Sequence, residues 1–290
     1  MIDTARPTHA GPVAIICGGG SIPFAVADAV VRQGRRPVLF PFRGWADAKA
    51  VERYPHYWSY VGQFGRFLRI ARREGCRDVI FIGSLVRPAI WEIRFDWKTL
   101  RLLPWIIRQF YGGDDHLISG MARLFEEHGF RLLAAQDVAP EILMPEGLLA
   151  GKTPSERDQS DIAHGLALIE AIGRFDVGQA VVVANKHVLG VEAAEGTDQL
   201  LTRMAELRRS RRIRSPEGTG VLVKAPKPAQ DRRFDLPSIG PATVEAAAAA
   251  GLAGIAVLAG GTIVAEPARM VSSADKAGLF VVGVSPENRQ

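Results

Sequence analysis

The sequence predicts a two-domain α/β protein: an N-terminal Rossmann-like parallel sheet, a C-terminal mixed α/β domain, and a linker joining them. Three observations predict it. Short apolar runs alternate with helical patterns through the first 139 residues, and alternation with short connections argues for parallel strands covered on both faces. The first apolar run ends in glycines directly before a helical pattern, which is the opening of a nucleotide-binding sheet. Midway, the composition shifts to Pro, Gly and polar residues in MPEGLLAGKTPSERDQSD, as expected between domains. The boundaries read as 1–139, a linker over 140–159, and 160–290. A length of 290 residues fits two domains.

In the first half, Pro12 to Ile16 reads as a strand, Phe24 to Arg32 as a helix ending at Gly34, and Pro37 to Pro41 as a second strand. Gly65 to Glu74 reads as a helix stopped by Gly75, and Asp78 to Gly83 as a third strand. A helix over Leu117 to His128 stops at Gly129, and Phe130 to Ala134 follows as a strand. In the second half, helices are expected over Ser160 to Gly173, Thr197 to Arg209, Pro241 to Ala250 and Ser272 to Ala277. Strands are expected in QAVVVAN, His187 to Val191, GTGVLVK, GIAVLA and LFVVGV.

Composition narrows the function classes. The chain is 47% hydrophobic with a net charge of +5, a mild basic bias that suits an anionic ligand or an anionic surface. No apolar run is long enough to span a bilayer, and the start shows no secretory signal pattern. Cys17 and Cys76 match no metal-ligand spacing and read as core thiols of a reduced, cytoplasmic protein. The six histidines have no HxxxH or HxH spacing, which argues against a histidine zinc site. Five arginines in Arg208 to Arg214 lack stacking aromatics, so they read as a solvated helix end and nucleic acid is not an expected partner.

Five segments carry candidate chemistry. In Cys17-Gly18-Gly19-Gly20-Ser21, a strand ending in glycines before a helix turns amides toward an anion, although a purely steric turn accounts for the glycines equally well. Asp114 and Asp115, after Gly112-Gly113, are either helix caps or groups that meet a hydrated cation or a ribose. The loop from Lys224 through Lys227, Gln230 and Asp231 to Asp235 follows a strand and combines cations, carboxylates and shape-fixing prolines. Phosphoryl transfer needs cations on phosphoryl oxygens and carboxylates to hold Mg²⁺ or orient water; a solvated charged loop is the plainer reading. In EAAEGTD, Thr197 or Asp198 reads as an N-cap, while Glu192 and Glu195 could face the same cleft as the lysine-proline loop. Trp91 to Tyr111 alternates aromatics with basic residues, which suits a membrane interface, a core helix pair broken at Pro104, or an oligomer contact such as a homodimer's.

Several of these motifs together resemble the LpxI family: GGGSIP, GGDD followed by LFEEHGF, PEGLL, DVGQAVVV, EGTD and, above all, VLVKAPKPAQDRRFDLPSIGP. The resemblance runs over nearly the whole chain, and its members are UDP-2,3-diacylglucosamine diphosphatases of lipid A synthesis. It implies hydrolysis of a UDP-linked diacylated sugar to UMP and 2,3-diacylglucosamine 1-phosphate (lipid X), with substrate bound between two tethered domains. It also implies a divalent cation, Mg²⁺ or another such as Mn²⁺, and work at the cytoplasmic surface of the inner membrane. Carried over residue by residue, Asp231, Asp235, Lys224 and Lys227 become the catalytic set, with Asp231 and Asp235 as metal ligands. Gly18, Gly19, Gly20, Ser21, Asp114, Asp115, Gln179, Thr197 and Gln230 become substrate contacts. Two other classes stay open: an NAD(P)-dependent oxidoreductase, disfavoured because Pro37 to Pro41 ends without an acidic residue for a ribose, and a non-catalytic UDP-lipid binding protein.

Overall fold

The computed structural model describes residues 11–85, 93–110, 114–228, 232–233 and 236–285, with the backbone alone for 105–110 and 114–119. The chain divides into two compact units, Met1–Pro140 and Glu141–Gln290.

The first unit is built on four parallel strands. β1 (Val13–Cys17), β2 (Pro37–Pro41), β3 (Asp78–Ile82) and β4 (Arg131–Leu132) lie in the order β2-β1-β3-β4. Their connections carry α1 (Ile22–Arg32), α2 (Ala48–Val51), α3 (Phe64–Arg73), α4 (Trp97–Phe110), α5 (Asp114–Glu127) and, beyond β4, α6 (Ala135–Val138). β1 and β2 are buried at every residue, which is why their sequence is continuously apolar rather than alternating. Gly75 and Gly129 stop α3 and α5 with positive φ, as their positions after the helical patterns predict.

Two local details differ from expectation. The fourth strand is only Arg131–Leu132. And α4 runs through Pro104 rather than breaking there. Proline removes one amide, whose acceptor would be the Leu100 carbonyl one turn earlier. Leu100 and Pro104 both lie on the exposed side, where water can satisfy that carbonyl.

The second unit has a mixed six-stranded sheet in the order β5-β12-β10-β8-β6-β7. Its strands are β5 (Gly147–Ala150), β6 (Ala180–Ala184), β7 (His187–Val191), β8 (Val221–Lys224), β10 (Gly254–Leu258) and β12 (Phe280–Val284). β9 (Ser238–Ile239) and β11 (Ile263–Val264) form a small parallel pair. Helices α7 (Glu156–Gly173), α8 (Gly196–Arg209), α9 (Pro241–Ala249) and α10 (Pro267–Ala277) complete it.

Side chains alternate across this sheet. Val221 and Val223 pack with Ile162, Leu166 and Ile169 of α7, whereas Leu222 packs with Leu200, Leu201, Met204, Val244 and Met270 of α8, α9 and α10. Each such side chain taken from water contributes roughly 1.5–3 kcal/mol before entropy is counted. The same period of two turns Lys224, the last residue of β8, toward the α8–α9 face.

The stretch 140–159, expected to be a linker, is ordered, and all of it after Pro140 belongs to the second unit. It holds a 3-10 turn (Pro140–Ile142), the edge strand β5 antiparallel to β12, and the Ser155–Asp158 capping box that starts α7. β5 is only four residues long and is flanked by Pro145 and Gly151, so its pattern is that of a loop. α7 and α10 both begin earlier than their apolar periodicity suggests, at a capping box and at Pro267.

Asp78 ties the first sheet together. Its side chain is fully buried at the start of β3 and accepts from Arg35 (2.5 Å) and from two guanidinium nitrogens of Arg131 (2.8 and 3.0 Å). Burial pushes its pKa up, but the hydrogen bonds and charges of Arg131 and Arg35 outweigh burial and hold it below the ordinary value. A depressed carboxylate pKa contributes stability above its unfolded value, about 3.9, and that stability is lost as pH falls through the folded value. Asp78→Asn should therefore cost roughly 2–4 kcal/mol at pH 7, less than a fully buried pair because Arg131 is 39% exposed. Urea denaturation of both proteins across pH 3–7 should show the gap narrowing toward acid; a gap independent of pH would contradict this assignment.

Candidate functional site

The parallel strands β8, β10 and β12 end at one edge of the second sheet. β6 is antiparallel to β8, so its first residue, Ala180, pairs with Lys224. β7 is antiparallel to β6, which brings its end at Val191 to the same edge. Open α/β sheets place ligands beyond the carboxyl ends of their parallel strands. This is where Gln179, Glu192, Lys224 and the start of α8 meet.

A hydrogen-bonded chain joins them. The Lys224 ammonium, 6% exposed, donates to the Thr197 hydroxyl at 2.9 Å and to the Ser238 carbonyl at 3.1 Å. Thr197 donates onward to Glu192 Oε1 at 2.8 Å, and Glu192 Oε2 accepts the Gln179 amide at 3.0 Å. Glu192 is itself buried. A buried ammonium and a buried carboxylate are each costly unless their donors and acceptors are met; here a single hydroxyl links the two. Thr197 therefore does not cap α8. The capping position is Glu195, which makes no side-chain cap bond and instead accepts from the Ala193 amide and Arg203.

Lys227, also buried, pairs with Asp176 just beyond α7. Pro228 packs so closely on α7 that a Cβ at Gly173 would lie 2.5 Å from its ring. The lysine-proline loop is thus pinned at Lys224, Lys227 and Pro228. The sequence reading missed Asp176 as a partner. An Asp in the short turn DVGQ between α7 and β6 is the signal that could have found it, since Asp tolerates the positive φ (54°) that the turn adopts.

Of the residues expected to act, the structure brings Lys224, Thr197 and Gln179 into one network and holds Lys227 on the same loop. Gln230, Asp231 and Asp235 lie outside the described residues. Asp114 and Asp115 begin α5, as a helix-start reading predicts, and only their backbone is described. Gly18, Gly19, Gly20 and Ser21 form the β1–α1 turn of the first unit. Of the arginines at the end of α8, Arg209, Arg211, Arg212 and Arg214 are exposed, as a solvated helix end predicts, whereas Arg208 donates to the carbonyls of Ala250, Ser215 and Pro216.

The glycine turn has a steric basis. Gly18 and Gly19 donate their amides to Ile82 and Ser84 (3.0 and 2.7 Å), and a Cβ at Gly18 would lie 2.3 Å from the Ser84 carbonyl oxygen. Gly20 differs: its φ is +90° and a Cβ would meet nothing within 4 Å. Among the described residues, the amides of Gly20 and Ser21 donate to no backbone carbonyl. Cys17 beside them is no nucleophile, because burial pushes its thiol far above the ordinary range.

Taken together, the fold and these two strand-edge sites define a two-unit α/β protein with a glycine-rich β1–α1 turn in one unit and a lysine–carboxylate network in the other. The sequence matches the model of the LpxI N-terminal domain over residues 12–142 and of the LpxI C-terminal domain over 145–282. The chain belongs to the LpxI family. It is similar to UDP-2,3-diacylglucosamine pyrophosphatase LpxI of Caulobacter vibrioides, 40% identical over 95% of this chain and 98% of that one. Among solved structures, UDP-glucose-4-epimerase from Stenotrophomonas maltophila aligns with 42% of this chain and 36% of its own, at 16% identity and a TM-score of 0.28. UDP-glucose 4-epimerase from Brucella ovis aligns with 57% of this chain and 62% of its own, at 15% identity and a TM-score of 0.26. Likenesses that low carry no functional weight.

If Glu192 anchors Lys224 through Thr197, Glu192→Gln should destabilise the second unit. The Gln179 backbone amide and the Thr197 hydroxyl donate to different oxygens of Glu192, and a carboxamide replaces one of those oxygens by a donor, so a buried donor loses its acceptor at a cost of about 1–3 kcal/mol. Denaturant unfolding should report that loss. A variant within about 0.3 kcal/mol of the parent, the error of distant additive sites, would show that the network does not hold the site together.

Proposed function

We propose that this protein hydrolyses the diphosphate of UDP-2,3-diacylglucosamine, releasing UMP and 2,3-diacylglucosamine 1-phosphate, with a divalent cation. The observation that carries the reading is the near-full-length similarity to a UDP-2,3-diacylglucosamine pyrophosphatase, joined to a buried lysine network at a strand edge suited to phosphate. In this reading the substrate is shared between the units, its nucleotide at the β1–α1 turn and its diphosphate at the Lys224 edge.

The residues of the second unit have separable tasks. Lys224, held at Thr197 and Ser238, presents positive charge at a fixed place, where charge develops on phosphoryl oxygens. Lys227, oriented by Asp176, adds a second cation on the same loop. Prolines 226 and 228 limit the loop's freedom, so less order has to be imposed when substrate arrives.

The cation is a hard one such as Mg²⁺ or Mn²⁺, for which carboxylate oxygens are the fitting donors. Both oxygens of Glu192 and one of Asp176 already accept from protein donors. Among the described residues no three His, Cys, Asp or Glu side chains cluster to hold a metal. Asp231 and Asp235, on the same loop, are the carboxylates we assign to it, since oxygen ligands suit these ions. When bound, such an ion polarises phosphoryl oxygens and lowers the pKa of coordinated water.

Phe95, Trp97 and Leu100 are exposed on and just before α4, and Arg101 stacks on Trp97. That mix suits a surface meeting acyl chains and anionic headgroups. No helix among the described residues is long and apolar enough to cross a membrane. Peripheral attachment to the inner membrane is part of the proposal.

Incubating the protein with UDP-2,3-diacylglucosamine and Mg²⁺, then following UMP by mass spectrometry, tests the reading. UMP should form, chelation should stop it, and Asp231→Asn or Asp235→Asn should slow it by about 100-fold or more. Intact substrate retained on the protein would favour a binding module. Full activity in both variants would remove these aspartates from the site.

A further inference from the structure

Beside the glycine turn, at the same edge of the first sheet, stand two arginines with no assigned task. Phe42, just past β2, donates its amide to the Cys17 carbonyl at 3.0 Å, and a Cβ at Gly19 would lie 3.1 Å from the Trp45 carbonyl oxygen. The loop carrying Arg43 therefore rests against the turn. The segment 56–59 runs parallel beside β2, bridging Leu39 to His56 and Phe42 to Ser59. It delivers Trp58 and Tyr60 to that edge.

Both arginines are stacked on these rings. The Arg43 guanidinium lies 5.5 Å from the Trp58 ring centre and 6.0 Å from that of Tyr60, and the Arg94 guanidinium lies 4.0 Å from Tyr60. The backbone behind Arg94 is fixed as well. Its amide donates to Val61, the Asp96 amide donates to Gly62, and the Asp96 carboxylate accepts the Arg66 and Thr99 amides at the starts of α3 and α4. Yet neither guanidinium has a hydrogen bond or ion pair among the described residues. Arginine stacked on an aromatic face is held in orientation while its planar fork of donors stays available. Several other arginines of this unit spend that fork on the protein: Arg35 and Arg131 on Asp78, Arg36 on Glu74, Arg72 on His128.

We infer that Arg43 and Arg94, oriented by Trp58 and Tyr60, form a phosphate-binding subsite beside the open Gly20 amide. The ligand class is a phosphate monoester or diphosphate, because planar guanidinium forks match the bidentate demands of phosphoryl oxygens. The inference deepens the function proposed above, where the phosphate is that of a nucleotide; an anionic lipid headgroup offers the same chemistry.

The test uses the full chain and needs no turnover. Calorimetry with UMP, inorganic phosphate and uridine should be run on the parent, Arg43→Gln, Arg94→Gln, Tyr60→Leu and Arg53→Gln. Arg53 also stacks on aromatic rings, Phe24 and Tyr54, but precedes the bridged segment, so it controls for charge alone. Arg43→Gln, Arg94→Gln and Tyr60→Leu should each weaken UMP and phosphate binding by roughly ten- to a hundred-fold, with uridine binding and the Arg53 variant unchanged. Flotation on phosphatidylglycerol against phosphatidylcholine vesicles assigns the source: loss confined to anionic vesicles keeps the subsite and makes its ligand a headgroup. Losses no larger than that of Arg53→Gln in every assay overturn the inference. A parent that binds UMP through these arginines but leaves UDP-2,3-diacylglucosamine intact would instead overturn the proposed hydrolysis.

Discussion

A buried ammonium constrains the second unit more than any other group. Period-two alternation along β8 turns Lys224 inward, toward the face covered by α8 and α9, rather than into water. A charge in that position persists only if the surrounding chain supplies acceptors. The acceptors come from three separate places: the first turn of α8, the backbone at the start of β9, and, through Thr197, the residue after β7. For those to coincide, β6 must run antiparallel to β8 and β7 antiparallel to β6, as they do. The mixed topology of this sheet and the satisfaction of one lysine are two descriptions of one arrangement.

The first unit solves its strand edge differently. Its sheet is wholly parallel, and the ends of β1 and β3 are sewn together by the reciprocal Gly19–Ser84 bridge. Gly18 and Gly19 are needed because the two chains approach too closely for a side chain. That leaves Gly20, Ser21 and the nearby guanidiniums as the groups turned outward. One unit thus offers amides and arginines, and the other buried lysines on a proline-stiffened loop.

Much of this was legible in the sequence. Apolar period and glycine stops placed the parallel strands and most helices. A continuous Val/Ile run such as that of β1 is stable only when covered on both faces, and Gly75 or Gly129 after a helical pattern takes the positive φ that ends it. β5, β9 and β11 escaped notice, being only two to four residues long. The importance of Lys224 followed from its loop, but its partner could not. Thr197 lies 27 residues earlier, and only the strand pairing brings them together. Thr197 at the start of a helical pattern reads as a cap until its hydroxyl is seen to serve Glu192. The stacked arginines were equally hidden, since Arg43 and Arg94 belong to different segments that meet only through Tyr60.

The central claim is that phosphoryl chemistry is centred on Lys224. Single-turnover release of UMP from UDP-2,3-diacylglucosamine by Lys224→Met, alongside its melting curve, tests this most directly. Methionine fills the same volume without the charge. The account predicts a cooperative melt and release slowed by about 100-fold or more; release within about threefold of the parent would contradict it.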